Sequence, residues 1–361
     1  MAAPPILTTH SAVTPAFVAR LPKVELHVHL EGSLTPDTVL RFARRNGLGL
    51  PANTAEELRA HYTFTSLSDF IRVYLMCAGT LRTPLDFAEA TTEFLAFQAT
   101  QNVRYVEAFV APKLHVANGA DVDTILNMIV DAAAESYPQT GVRLGLIVDV
   151  GRLYGADLSV PLARAAVRHQ NRGVVGIGLG GDEASGPPSL WRESFALARD
   201  GGLHLTSHGG EIGGPEYVWS AIRDLGVERI GHAVAAVRDP ALIRHLVEQR
   251  IGLELCPQSN LRIGVVSSLQ EHPFGVFREA GALVTVNTDD PAIFANPLND
   301  EYLAVAQAFA LSPHDLCQLS LNAVDASFLA TPDKALLRGE MISDMNAALA
   351  SIGWPPLPLS A

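Results

Sequence analysis

His27 and His29 stand two apart in the apolar run VELHVHLEGS, residues 24–33. On a β-strand, side chains at i and i+2 leave the same face, so both imidazoles project together. That geometry suits two metal ligands, although with 12 histidines in 361 residues such a pair also arises by chance. Further donors lie downstream: His208 and Glu211 in SHGGE, His232 in RIGHAV, Asp289 and Asp290 in NTDDP, and Asp182 and Glu183 in GLGGDE. Three neutral imidazoles plus a carboxylate suit zinc or a related divalent ion. His27, His29, His208 and Asp289 can supply that set. Four protein ligands is one more than catalytic zinc usually keeps, and a five-coordinate site with one position for water reconciles the two. A bridging carboxylated lysine near the fourth strand would be needed for a second metal; the strand ends GLGGDE without lysine, so one ion per chain is expected.

The remaining residues suit metal-assisted hydrolysis. Glu211 follows a ligand by three residues on a loop and could touch a substrate atom. His232 could hydrogen-bond the attacking water, take its proton and orient it. Asp290 adjoins a ligand but points elsewhere, as neighbouring strand residues must. The backbone N–H groups of Gly180 and Gly181 have no side chains above them, so a flat ring could approach closely.

These residues need a scaffold that gathers them. Eight short apolar or β-branched runs, at 24–30, 103–110, 143–150, 174–181, 203–210, 229–234, 251–257 and 283–290, alternate with helical patterns such as PEYVWSAIRDLG and PALIRHLVEQR. Such alternation implies right-handed crossovers and a parallel sheet. Eight units in about 300 residues is the size of a (β/α)8 TIM barrel, where active sites lie at the C-terminal ends of the strands. Every candidate residue falls at such an end. A doubly wound open sheet is the other fold considered, but no G-x-G-x-x-G leads into a helix after an early strand; GIGLGG lies inside the fourth strand. The expected organisation is an N-terminal tail (1–20), a barrel (21–330) with a helical insertion after its first strand (34–102), and a C-terminal helical tail (331–361). Phe64, Phe70 and Tyr74 in the insertion could line a pocket, though an aromatic stripe at helical spacing is more often core. His204, four before His208, reads as structural. His10, His61, His115, His169, His245, His272 and His314 lie off the strand ends and read as surface or helix residues.

Composition narrows the partners. A net charge of −12 disfavours a nucleic-acid backbone. The longest apolar runs are strand-length, so no membrane span is expected. The opening MAAPPILTTHSAV lacks a basic start with a long apolar core, and no signal peptide is read there. Three widely spaced cysteines make neither a disulfide framework nor a cysteine zinc site, which fits a reduced, cytoplasmic setting.

The motifs LPKVELHVHLEGS, GGDE, SHGGE, ERIGHAV and VNTDDPAIF, in this order from about Leu21 to Phe328, resemble those of the adenosine deaminase family among the metal-dependent amidohydrolase barrels. The resemblance implies that His27, His29, His208 and Asp289 bind zinc and that Glu211 donates a proton. It implies His232 as a water-orienting base, Asp290 as acceptor to a purine ring nitrogen, and the Gly181 N–H as a ring contact. It implies hydrolytic replacement of a purine 6-amino group, with ammonia released after Glu211 protonates ring N1. HLEG replaces the HLDG of mammalian-type relatives, so Glu31 is expected near the sugar and altered in reading its 5′ end. GGDE stands where adenine deaminases tend to carry SSE. An adenosine-type nucleoside, plain or 5′-modified as in aminodeoxyfutalosine, therefore ranks ahead of adenine, followed by a metal-dependent amide or ester hydrolase and, last, a barrel without catalysis that binds a purine as a sensor.

Overall fold

A computed structural model describes residues 13–116, 118–153 and 155–358. Eight strands, β1 (Lys23–His29), β2 (Val103–Val110), β3 (Arg143–Asp149), β4 (Val174–Gly178), β5 (His204–Gly209), β6 (Arg229–His232), β7 (Gly252–Leu255) and β8 (Leu283–Val286), pair in sequence order. Every neighbouring pair is parallel. Parallel strands covered on both faces read as near-continuous apolar runs, and all seven residues of β1 are buried. The sheet closes through a parallel bridge between Val28 and Asp289. There the His29 N–H donates to the Asp289 carbonyl at 2.8 Å, and the Asp289 N–H donates to the His27 carbonyl at 3.0 Å. The seam of the barrel therefore holds three of the four expected metal ligands together through their own backbone. The fold is the expected (β/α)8 barrel.

Below this seam the interior is charged. Arg229 lies between Glu107 at 2.5 Å and Glu254 at 2.6 Å, with its guanidinium 3.6 Å from the Phe328 ring centroid. Desolvating such charges is costly, and removing one partner of a buried pair typically costs about 3–5 kcal/mol. His204 belongs to the opposite end from the cluster, at the start of β5. Half-exposed, it pairs with Glu228 at 2.9 Å and stacks on Phe328, a structural position.

After β1 the chain makes a single 3₁₀ turn (Glu31–Ser33) and then the helices Pro36–Arg45, Ala55–Ala60 and Leu67–Ala78. Thr35, Thr54 and Ser66 cap them by accepting backbone N–H groups. The next helix, Pro84–Thr100, packs against Val122–Thr140 in the outer ring and is the ordinary crossover to β2. Of the N-terminal tail, Pro15–Arg20 forms a helix that buries Phe17 and Val18; His10 lies outside the described residues. Thr331–Ser351 forms a closing helix that buries Met341 and Met345. Among the described residues no helix is long and apolar enough to cross a membrane.

Candidate active site

At the C-terminal mouth of the barrel, one ligand atom each from His27, His29, His208 and Asp289 lies within 4.8 Å of the others. His27 Nε2 is 3.1 Å from His208 Nε2 and 3.5 Å from Asp289 Oδ1, while His29 Nε2 is 3.3 Å from the same oxygen. Three imidazole nitrogens converging on a carboxylate are a donor set for a divalent ion. The surroundings fit such an ion as well. His27 Nδ1 pairs with Glu254 Oε2 at 2.6 Å, the carboxylate–histidine arrangement that turns Nε2 towards a metal. Ser259 donates to Asp289 Oδ2 at 2.7 Å, leaving Oδ1 for the cluster. Burial and the neighbouring His27, His232 and His29 push the His208 ring well below its usual range, so it is neutral, as a ligand must be. Asp289 has φ 67° and His232 φ 64°, conformations that non-glycine residues rarely adopt and that cluster at functional sites.

A cavity opens over the cluster, lined by His29, His208, Glu211, His232, Asp289, Asp290 and Gly181. Burial raises the Glu211 carboxyl well above the usual carboxylate range, with Asp289 and Glu183 adding to the effect. Burial and the adjoining Asp289 do the same for Asp290. His232 is neutral, pushed by burial down to about 3.

A hydrogen-bond relay assigns its tautomer. The Phe274 N–H donates to His272 Nδ1 at 3.1 Å, so the His272 proton is on Nε2 and is donated to Asn260 Oδ1 at 3.1 Å. The Asn260 amide group then faces His232 Nδ1 at 3.1 Å, which must accept. A neutral His232 therefore carries its proton on Nε2.

Several positions depart from expectation. Glu31 does not line the cavity: the 3₁₀ turn breaks the strand alternation and turns it inward. Its Oε1 accepts from the Ala111 N–H at 2.9 Å and faces His115 Nε2 at 3.2 Å. Of the histidines read as surface or helix residues, His115 lies on a short helix but is buried, and His169 and His272 are buried as well. Phe70 and Tyr74 line the cavity with Leu67, Ile71 and Leu75 of the same insertion helix, while Phe64 packs edge-on against Phe70 and Phe294.

Asp149, Arg152 and Glu254 were not singled out from sequence. Asp149 ends β3, so an acid closing a barrel strand was the available signal. Arg152 lines the cavity and donates to the carbonyls of Leu179 at 3.2 Å and His208 at 2.9 Å, tying the ends of β4 and β5 together.

An eight-stranded barrel with three histidines and an aspartate at its C-terminal mouth defines the class of metal-dependent barrel hydrolases. The family model described as adenosine deaminase matches residues 22–344. An adenine deaminase of Rhodospirillum rubrum is 37% identical over 341 residues, covering 94% of this chain and 99% of the relative. An aminodeoxyfutalosine deaminase of Streptomyces coelicolor is 39% identical over 338 residues, covering 93% of this chain and 87% of that protein. The crystal structure of an adenine deaminase from Arthrobacter aurescens superposes with a TM-score of 0.85 at 32% identity, covering 90% of this chain and 98% of the other. The chain belongs to the adenosine deaminase family, whose members are metal-dependent, and it is a hydrolytic deaminase.

Proposed function

We propose that this deaminase acts on a 6-aminopurine carrying a substituted sugar at N9, an adenosine extended at its 5′ end, and releases ammonia. The observation that carries the reading is one cavity that opens over four convergent metal donors, with Glu211, whose carboxyl burial raises well above its usual range, and an apolar outer chamber on its wall. His27, His29, His208 and Asp289 would hold a single divalent ion, zinc by donor type. When bound, the ion supplies the Lewis acidity that makes hydroxide available at neutral pH.

This chain's residues do the rest. Glu211 gives its proton to ring N1, so the electrons displaced by attack at C6 rest on a neutral nitrogen, and its carboxylate then carries the adduct's hydroxyl proton to the amine, which leaves as ammonia. Asp290 was expected to accept from a ring nitrogen. Purine N7 bears a lone pair and no hydrogen, so a bond between it and Asp290 needs the carboxyl in its protonated form, which burial favours. His232 presents Nε2–H and orients the nucleophilic water by donating to its oxygen; with that tautomer it does not take the water's proton there. The Gly181 N–H meets the N3 edge of the ring, where φ of +89° favours a residue without Cβ.

The outer chamber supports a 5′-extended substrate. Leu67, Phe70, Ile71, Tyr74, Ile263 and Phe294 wall it with mostly apolar surface. Adenine alone leaves that wall uncovered, whereas an extended 5′ substituent covers it. Similarity to an aminodeoxyfutalosine deaminase supports this reading, and plain adenosine falls behind it. Adenine is the second reading, favoured by relatives named adenine deaminase. Ammonia release from aminodeoxyfutalosine, 5′-methylthioadenosine, adenosine and adenine separates them. The proposal expects kcat/KM to be at least tenfold higher for the 5′-extended nucleosides; a preference for adenine establishes the second reading.

A further inference from the structure

Asp149 takes no part in the chemistry above, yet its carboxylate faces the cavity. The residue closes β3 and is only 6% exposed. Its Oδ1 accepts two backbone N–H groups, from Gly151 at 2.8 Å and Gly180 at 2.9 Å, which fix the side chain. Its Oδ2 takes no hydrogen bond among the described residues and borders the cavity beside Gly180 and the His208 ring. This oxygen is open to the cavity, and a carboxylate oxygen offers an acceptor to whatever fills that cavity. A substrate group that excludes solvent from this oxygen must supply a donor in its place.

The position of Asp149 identifies that donor. Gly181, whose N–H meets the purine N3 edge in the proposed reading, directly follows the glycine that Asp149 grips. A purine placed on Gly181, with its C6 over the metal donors, sends its N9 bond away from Glu211. With N3 at the end of β4 and N7 at the end of β8, that direction leads towards the strands between them in the ring, where β1 and β3 end in His29 and Asp149. The groups carried there by a nucleoside are the ribose hydroxyls. We propose that Asp149 Oδ2 accepts a hydrogen bond from the 2′- or 3′-hydroxyl of the substrate ribose, and so selects nucleosides over free bases and deoxynucleosides. The proposal rests on the 6-aminopurine reading and narrows it to a ribonucleoside.

The test compares 5′-methylthioadenosine with its 2′-deoxy and 3′-deoxy forms, in the metal-loaded wild type and in Asp149→Asn. The variant keeps an oxygen for Gly151 and Gly180 but turns the cavity-facing acceptor into an amide. A hydrogen bond to a charged acceptor corresponds to roughly ten- to a hundredfold in kcat/KM. Wild type is therefore expected to prefer the ribonucleoside over at least one deoxy form by that factor. In the variant the ratio should collapse towards one, with metal content retained. An equal loss on all three probes makes Asp149 a turn anchor only and overturns the proposal. So does a wild-type ratio near one, which needs no variant and is immune to misfolding. Wild type that deaminates adenine but none of the nucleosides also overturns it while leaving the deaminase reading intact. Failure on adenine and nucleosides alike is failure of the 6-aminopurine reading itself.

Discussion

Glu183 grips the chain on both sides of Glu211 without touching its side chain. One carboxylate oxygen accepts the Gly210 N–H at 2.6 Å, and the other accepts those of Ile212 at 2.8 Å and Gly213 at 2.6 Å. Glu211 rides on a loop, where a side chain is otherwise poorly fixed, and three charge-assisted bonds hold it over the cluster. Replacing Glu183 by Gln puts an amide donor against backbone donors. Since hydrogen bonds to charged groups contribute about 1.5–3 kcal/mol each, kcat should fall at least tenfold. Glu183 contacts none of the four donors, so elemental analysis should find the metal content unchanged.

Glu254 performs the corresponding task for the metal donors. It connects His27 to Arg229, and Arg229 and His27 hold its carboxylate down at about 2 against the opposing effect of burial. Loss of such an outer partner typically costs 10–100-fold in metal affinity. Glu254→Gln should therefore lose its ion to a chelator at a free-metal concentration roughly ten to a hundred times higher than wild type. Loss of thermal stability should accompany this, because Arg229 keeps only Glu107 as a charged partner.

Gly32 lies against Asp290. A Cβ built on Gly32 would come within 1.6 Å of Asp290 Oδ1, a distance no rotamer of Asp290 could tolerate in place. Gly32→Ala should displace the Asp290 carboxyl from the ring while leaving the metal bound. The expected result is a loss of kcat/KM of at least tenfold with unaltered metal content, measured on 5′-methylthioadenosine.

The relay from Phe274 through His272 and Asn260 predicts the outcome of changing one polar atom. Asn260→Asp replaces the donor facing His232 Nδ1 with an acceptor, so a neutral His232 would move its proton to Nδ1 and lose Nε2–H towards the water. An orienting hydrogen bond is worth about 0.5–1.5 kcal/mol, so turnover in the variant should fall roughly several-fold to tenfold, and ¹⁵N chemical shifts of the His232 ring should report the exchanged tautomer.

Much of this was legible in the sequence. Parallel barrel strands are covered on both sides, so each of the eight left an apolar run, and the residues after them clustered because chemistry in this fold collects at strand ends. What escaped depended on three-dimensional packing. Glu254 is a charge inside the apolar run IGLELCP, unreadable without Arg229 and His27 from other strands. His115 lies on a short helix whose buried face is set by Glu31 and Phe87. Glu31 itself continues the i+2 spacing of His27 and His29, but strand periodicity ends one residue before the 3₁₀ turn begins, and the side chain turns away from the cavity. Asp149 carries no motif, and only its place beside Gly180 gives it meaning.

The protonated state of Glu211 also sets a pH dependence. Burial raises its carboxyl well above the ordinary value, so the active protonated form persists beyond the usual carboxylate range and is lost as pH rises through the folded-state value. kcat should accordingly decline on the alkaline side, and that limb should be absent from the residual activity of Glu211→Gln.

The most direct measurement is single-turnover deamination of 5′-methylthioadenosine by Glu211→Gln, with metal content determined on the same sample. The variant keeps the size of the side chain and all four metal donors but has no acidic proton for N1. Proton donation by Glu211 predicts one divalent ion per chain, as in wild type, with the rate reduced by about 10²–10⁴. A variant that holds its metal and deaminates at the wild-type rate would contradict it.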